Sequence, residues 1–276
     1  MKWRCFRLFP EVNGIQMNRY IRQIMLADFG IEAQQKLKTS AVLVVGAGGL
    51  GCPALQYLNA AGIGTIGIVD ADRVSENNLH RQILYTPKDI GRYKVEAARD
   101  MLCMQNPETQ IRIYPEHLSE QNALDIIAEY DIILDGTDQT SCRYLISDAC
   151  EVHNKPWVYA ALYAHEGQLA VMNYLHQGVQ CNYRDAFPWT DNHLLPPTCH
   201  EAGVLGVYTG ILGSMQATEA IKVLTGYRDA MSNRILYIHF GNYASYSIEI
   251  RPDRNRIRVN DKSFYFQPRG TKDQLT

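Results

Sequence analysis

Apolar positions in this 276-residue chain follow two rhythms. Short, almost unbroken runs at 41–45, 66–69 and 132–134 have the pattern of strands buried on both faces. Stretches with the 3.6-residue period of amphipathic helices lie between them. The pattern predicts a helix over 18–38, with Tyr20, Ile21, Ile24, Met25 and Leu37 as its apolar face. Then come strand 41–46, helix 50–61, strand 65–70, helix 92–105 stopping before Pro107, strand 109–114 and helix 119–129. Strand 131–135, helix 140–152 and strand 156–161 form a further β-α-β unit. Beyond it the rhythm changes. Residues 167–174 alternate as a strand, and 178–203 carry three prolines with little periodicity, as in a long functional loop. A helix over 204–225 ends at Gly226, and 234–240 and 244–250 read as two more strands. Alternating strands and helices followed by hairpin-like strands give an α/β fold, with a mostly parallel central sheet continued by antiparallel strands. One domain over 18–252 is expected. It has an N-terminal extension at 1–17 and a polar tail at 253–276 that the pattern does not place.

The turn between the first strand and its helix is Gly46-Ala47-Gly48-Gly49-Leu50-Gly51, and the next strand ends at Asp70. Strand, glycine turn, helix, strand and acid is a Rossmann-like arrangement for holding a nucleotide. Glycines let the backbone turn tightly and approach phosphate, and a helix start offers free N–H groups to an anion. The motif leaves the nucleotide open.

Composition narrows the class. The formal charge of −2 argues against a nucleic-acid-binding surface. Seven cysteines form no C-x-x-C pair, which suits free thiols in a reducing compartment. No apolar run approaches the roughly 20 residues that span a bilayer, and the basic start is not followed by a leader-like apolar stretch. No membrane partner and a cytoplasmic location are the expectation.

Candidate chemistry clusters at predicted strand ends, where doubly wound sheets bind ligands. The loop Asn77-Asn78-Leu79-His80-Arg81-Gln82 follows the acid-bearing strand. Arg81 suits bidentate phosphate contact. Lys94 opens the next helix, and Asp138 stands where a carboxylate can hold Mg²⁺ beside phosphates. Taken singly each has a plainer reading: Asp70 as a loop cap, Arg81 and Lys94 as solvated charges, Asp138 as the cap of helix 140–152. Their coincidence at successive strand ends favours a site.

An ordered set of segments carries a resemblance. It comprises Arg19-Tyr20-x-Arg22-Gln23, Gly46 to Gly51, Asp70-x-Asp72, Asn78-Leu79-x-Arg81-Gln82, Lys94, Asn106-Pro107 and Asp135-Gly136-Thr137-Asp138. It continues with Glu166-Gly167-Gln168, Cys199-x-Glu201-Ala202-Gly203-Val204 and Gly213-Ser214-x-Gln216-Ala217-x-Glu219-Ala220-Ile221-Lys222. From about 18 to 250 the chain resembles the ThiF/MoeB/HesA-type adenylyltransferases, bacterial relatives of ubiquitin-activating enzymes. The resemblance implies ATP and Mg²⁺ as cofactors. The partner it implies is a small ubiquitin-like carrier ending in Gly-Gly, whose terminal carboxylate attacks the α-phosphate. It further implies that Asp70 binds the ribose and that Gly46, Gly48 and Gly49 approach the phosphates. Asp72, Asn77, Asn78, Leu79, His80, Arg81, Lys94 and Gln139 would complete the nucleotide site, with Asp138 holding Mg²⁺. Arg22 would enter a neighbouring subunit's site, which makes a homodimer the expected assembly. Cys199 is the family's loop cysteine, either a covalent-intermediate residue or a small residue without a role in adenylation.

The chain also departs from the family. Many members hold a structural zinc with two C-x-x-C pairs. Here Cys181-Asn182-Tyr183-Arg184-Asp185 keeps one cysteine, and 252–276 contain none. One thiolate cannot close a four-ligand zinc site, so no zinc is expected. Gln139 replaces a usual Asn, and His80 a usual Gln. Three other readings compete: an NAD-dependent oxidoreductase, a silent carrier-binding scaffold, and a related enzyme acting on a peptide or modified base.

Overall fold

The structure, a computed structural model, describes residues 17–188, 203–253 and 259. Strands β1 (Ala41–Val45), β2 (Thr65–Val69), β3 (Gln110–Tyr114), β4 (Ile132–Asp135) and β5 (Trp157–Tyr163) pair in parallel. Strands β6 (Glu166–Met172), β7 (Arg234–His239) and β8 (Ala244–Glu249) continue the sheet antiparallel. The order is β3-β2-β1-β4-β5-β6-β7-β8, so the chain reverses direction across the sheet between β1 and β4. The expected mostly parallel sheet with an antiparallel continuation is what the described residues form.

Continuous apolarity in the parallel strands has its cause in two-sided burial. Val42 and Val44 face one core, with Leu55 and Leu58 of α3 (Gly51–Ala61), Val95 of α4 (Lys94–Gln105) and Ala217. Leu43 and Val45 face the other, with Ile126 of α5 (Ala123–Ala128) and Tyr144 of α6 (Thr140–Val152).

Four predicted elements differ. The helix expected over 18–38 is two, α1 (Met17–Ile24) and α2 (Gly30–Thr39). Gly30 takes φ +67°, and burying Phe29 edge-on against Tyr227 turns the chain there, which leaves Met25 61% exposed rather than on the apolar face. The helix expected from 92 starts at Lys94, because Val74 donates to the Arg92 carbonyl and accepts from Gly91. The helix expected from 119 starts at Ala123: the Asn122 amide accepts from the Ser119 N–H and donates to the His117 carbonyl, diverting the first turn. Val204 bridges to Ala164 and leaves the next helix to start at Gly206. Within 178–203, α7 (Tyr183–Ala186) is short, and 189–202 lie outside the described residues, as do 1–16 and most of the tail.

The segment around Cys181 is closed by its own side chains. The Cys181 thiol is buried and donates to the Ile250 carbonyl at 3.3 Å. Asn182 and Asp185 form a reciprocal capping box at the start of α7. Asp185 also accepts from the Asp253 N–H, and Arg184 meets the fully buried Asp148 carboxylate through two nitrogens at 2.7 Å.

At the reversal the backbones touch. Gly46 takes φ +93°, and a Cβ at Gly51 would stand 2.0 Å from the Gly46 oxygen. One at Gly136 would stand 2.6 Å from the same atom. Backbone cannot yield as a flexible side chain can. Gly51→Ala is therefore expected to destabilise the protein by about 3 kcal/mol or more in urea melts, and a loss under about 1 kcal/mol would show that the turn can open.

Candidate active site

A cavity of about 1170 Å³ opens over the carboxyl ends of β1, β2 and β4. Ligands are expected at such a topological switch point. Its lining brings together Gly46, Gly48, Gly49, Asp70, Asp72, Asn77, Asn78, His80, Arg81, Lys94, Asp138 and Gln139, although 92 positions separate the first from the last-but-one. Three expected residues are not in that lining. Leu79 packs against the core, Arg22 is exposed on α1, and Cys199 lies outside the described residues.

The glycine turn is pinned from both sides. The Ala47 N–H donates to Asp70 Oδ2 at 2.8 Å, and its carbonyl accepts from the Tyr85 hydroxyl at 2.8 Å and the Cys52 thiol at 3.4 Å. Asp70 also accepts from the Asp72 N–H at 2.8 Å. Lys94 Nζ sits 2.7 Å from Asp72 and 3.8 Å from Asp70, its side chain 7% exposed at the start of α4. Burial pushes the Asp70 carboxyl above the ordinary range, against the pull of Lys94 and of the two N–H groups.

Arg81 is held differently. Its guanidinium donates to the Asn77 carbonyl at 3.0 Å and to Asn78 Oδ1 at 2.9 Å, and lies 2.8 Å from His80 Nε2. The two oxygens are neutral acceptors, and among the described residues no carboxylate stands within ion-pair distance of the guanidinium. Asn78 is itself fixed by Gln82, which donates to the same oxygen at 3.1 Å. An oriented guanidinium without a counter-ion, on a cavity wall, suits an anionic ligand.

Asp138 is exposed at the cavity, three residues beyond a fully buried acid, Asp135. Asp135 Oδ1 accepts from the Thr137 N–H at 2.9 Å and its hydroxyl at 2.7 Å, fixing the turn that carries Asp138. Burial raises the Asp135 carboxyl, opposed chiefly by Arg143. Cys142, also in the lining, is pushed up to about 12 by burial and then by Asp135, so it is a neutral thiol near pH 7. One exposed carboxylate with oxygen donors fits Mg²⁺, which takes one or two carboxylates and completes its shell with phosphates and water. No group of three or more His, Cys, Asp or Glu gathers among the described residues.

Some lining residues escaped sequence reasoning. Glu116 to Gln121 form the wall beyond β3, and the strand-end rule that singled out Asp70 applies equally to that neighbouring strand. Arg73 and Arg143 also line the cavity. Arg143 lies on the first turn of α6, one helical turn beyond Gln139, and that spacing was a usable signal. Thr209 comes from α8 (Gly206–Thr225) and lies against Gly49, a contact that only tertiary structure creates.

Comparison with known proteins identifies the family. The ThiF family model matches residues 20–259. The chain belongs to the ThiF family. Among its relatives is the probable adenylyltransferase/sulfurtransferase MoeZ of Mycobacterium tuberculosis, 40% identical over 253 residues. The adenylyltransferase and sulfurtransferase MOCS3 of Drosophila virilis is 43% identical over 251 residues. Each alignment covers 91% of this chain, but it spans only 64% of MoeZ and 55% of MOCS3. The crystal structure of E. coli MccB with AMPCPP and MccA shares the fold, with a TM-score of 0.75 at 21% identity, covering 87% of this chain and 74% of that one. No helix among the described residues is long and apolar enough to cross a membrane.

Asp70 supplies a pH-dependent prediction. Below about pH 3.9 it is protonated in both folded and unfolded chains, and its contribution to stability is fully present. As pH rises through its elevated native value, the unfolded chain has already ionised and that contribution is lost. The stability of the wild type minus that of Asp70→Asn should fall across this window and then level off, read by urea melts at stepped pH. A difference that grows with pH would mean a lowered native value instead.

Proposed function

We propose that the chain is an ATP-dependent adenylyltransferase that activates the C-terminal glycine carboxylate of a small ubiquitin-like sulfur-carrier protein. The observation that carries this reading is the gathering of Arg81, Lys94 and Asp138 around the glycine turn in one cavity. A triphosphate carries its charge along a line, and this wall offers a cation with no carboxylate partner among the described residues, a second cation, a helix start and a carboxylate for the metal. The ThiF family membership and the relatives named as adenylyltransferases support it. An NAD enzyme has no use for a metal-gripping acid beside two cations.

In this reading Asp70 accepts from the ribose, and the Glu116–Gln121 wall lies on the base side. Gly48, Gly49 and the first N–H groups of α3 approach the phosphates, with Asn78 orienting Arg81 onto them. Asp138 would hold Mg²⁺, which when bound neutralises charge on the phosphates. A carboxylate oxygen of the carrier attacks the α-phosphorus, the bond to the bridging oxygen breaks, and pyrophosphate leaves with the electron pair. No general base is required, because the carboxylate is already ionised near pH 7. Catalysis then rests on positioning and on charge stabilisation.

The assembly we propose is a homodimer in which Arg22 serves the neighbouring cavity; its exposure on α1, outside its own cavity, supports that role. A thioester or persulfide role for Cys199 would follow adenylation. The complexes of MccB with MccA favour a second reading, in which the same cavity adenylates a peptide or another carboxylate.

Pyrophosphate exchange tests the reaction. Wild-type protein with a Gly-Gly-tailed carrier should exchange, and Asp138→Ala should lose about 100-fold or more while melting normally. Exchange supported by a peptide or another carboxylate and not by the carrier would favour the second reading, and tighter calorimetric binding of NAD than of Mg-ATP would overturn both. Mixing Arg22→Ala with Asp138→Ala subunits should restore part of the activity, since one mixed site is intact; no recovery would mean that each subunit is self-sufficient.

A further inference from the structure

We propose that Arg143 is a positioning residue that sets the Asp138 carboxylate for the metal, and that it ties this turn to the α7 segment. This rests on the reading of Asp138 as the Mg²⁺-holding acid.

The geometry is that of a fork spanning a loop. Arg143 lies on the first turn of α6 and is 9% exposed, yet it reaches the cavity lining. Its Nε stands 3.4 Å from Asp135 Oδ2, at the end of β4. Its Nη2 donates to the Thr137 carbonyl at 3.2 Å. The residue immediately after that carbonyl is Asp138. The guanidinium therefore holds both ends of the Asp135-Gly136-Thr137 turn, while Asp135 Oδ1 fastens the Thr137 N–H and hydroxyl from the other side. A turn closed twice has little freedom left to move the next side chain.

The fork also faces away from the cavity. Its Cζ lies 5.6 Å from the Tyr159 ring centroid, and its charge acts on the Tyr183 hydroxyl beyond that ring. Tyr183 belongs to α7 and packs 5.3 Å from Tyr159 and 4.7 Å from Phe187 between ring centroids. The segment closed by the Asn182–Asp185 capping box thus packs on the ring that the guanidinium faces.

A packing role alone would be met more cheaply. Burying an ion pair costs several kcal/mol of desolvation, and apolar residues of similar size usually hold a core as well. A carboxylate in ion-pair contact with Nε and a carbonyl accepting from Nη2, at fixed separation on one turn, suit a planar fork, which an ammonium cannot supply.

Calorimetry of the full chain with a non-hydrolysable ATP analogue, with Mg²⁺ and with chelator, separates the possibilities. Wild type should bind more tightly with Mg²⁺, and Asp138→Ala should lose that gain. Arg143→Met should lose about tenfold of the Mg²⁺-dependent gain while its affinity in chelator stays within about twofold. Arg143→Lys should recover only part of the gain. Tyr183→Phe, which removes one hydroxyl, should shift it in the same direction by about two- to threefold and decides the matter if Arg143→Met does not fold. A full Mg²⁺ gain in Arg143→Met or complete rescue by Lys would overturn the proposal. So would an affinity in chelator that falls as far as that in Mg²⁺, which would make Arg143 a direct phosphate ligand. If wild type shows no Mg²⁺ gain, the reading of Asp138 fails and takes this proposal with it. If only the Arg143 and Tyr183 variants behave as wild type, the reading of Asp138 stands without it.

Discussion

The site depends on a backbone contact that side chains would prevent. Where the sheet reverses between β1 and β4, the oxygen of Gly46 lies in the space that a Cβ at Gly51 or Gly136 would need. This contact lets α3 begin directly over the sheet and brings the turn after β4 against the turn after β1. The acid of one turn and the N–H groups of the other then share a cavity. Asp70 accepts from the Ala47 N–H and Tyr85 donates to the Ala47 carbonyl, so the two successive peptides of the turn are fixed before any ligand arrives. A preformed turn spares a nucleotide the cost of ordering it.

Charge is distributed around that turn in two modes. Lys94 and Arg143 are buried or nearly so, and carboxylates share the space with them, Asp70 and Asp72 beside one and Asp135 beside the other. Such pairs contribute position more than stability, because desolvation offsets much of their attraction. Arg81 is fixed by amide and carbonyl oxygens instead, which keeps its charge available to a ligand. Recruiting neutral acceptors to aim a guanidinium separates its orientation from its neutralisation.

The α7 segment shows how a local closure can be made from side chains alone. The capping box, the buried Cys181 thiol and the Arg184–Asp148 pair each use a donor or acceptor that would otherwise be desolvated without a partner. The aromatic rings of Trp157, Tyr159, Tyr183 and Phe187 fill the volume behind them. One of these rings, Tyr159, faces Arg143, so the packing of this segment and the geometry of the cavity floor are not independent.

The sequence alone determined the alternation of strands and helices, the glycine turn, the acid after β2 and the family, because each is written in local spacing: period 2 or 3.6, a glycine where φ is positive, a charge at a strand end. It also named the glycine turn, the Asn77–Arg81 loop, Lys94 and Asp138 on the cavity wall. What it misjudged was decided elsewhere. Helix α1 ends early because Phe29 finds Tyr227 about two hundred positions away. The first turn of α5 is lost to Asn122, and Arg92 is drawn into a pairing with Val74. The Glu116–Gln121 wall, Thr209 and the fork of Arg143 came into view only with the tertiary structure. A side chain's partners across the sheet are set by which strands lie side by side, and local periodicity carries no record of that order.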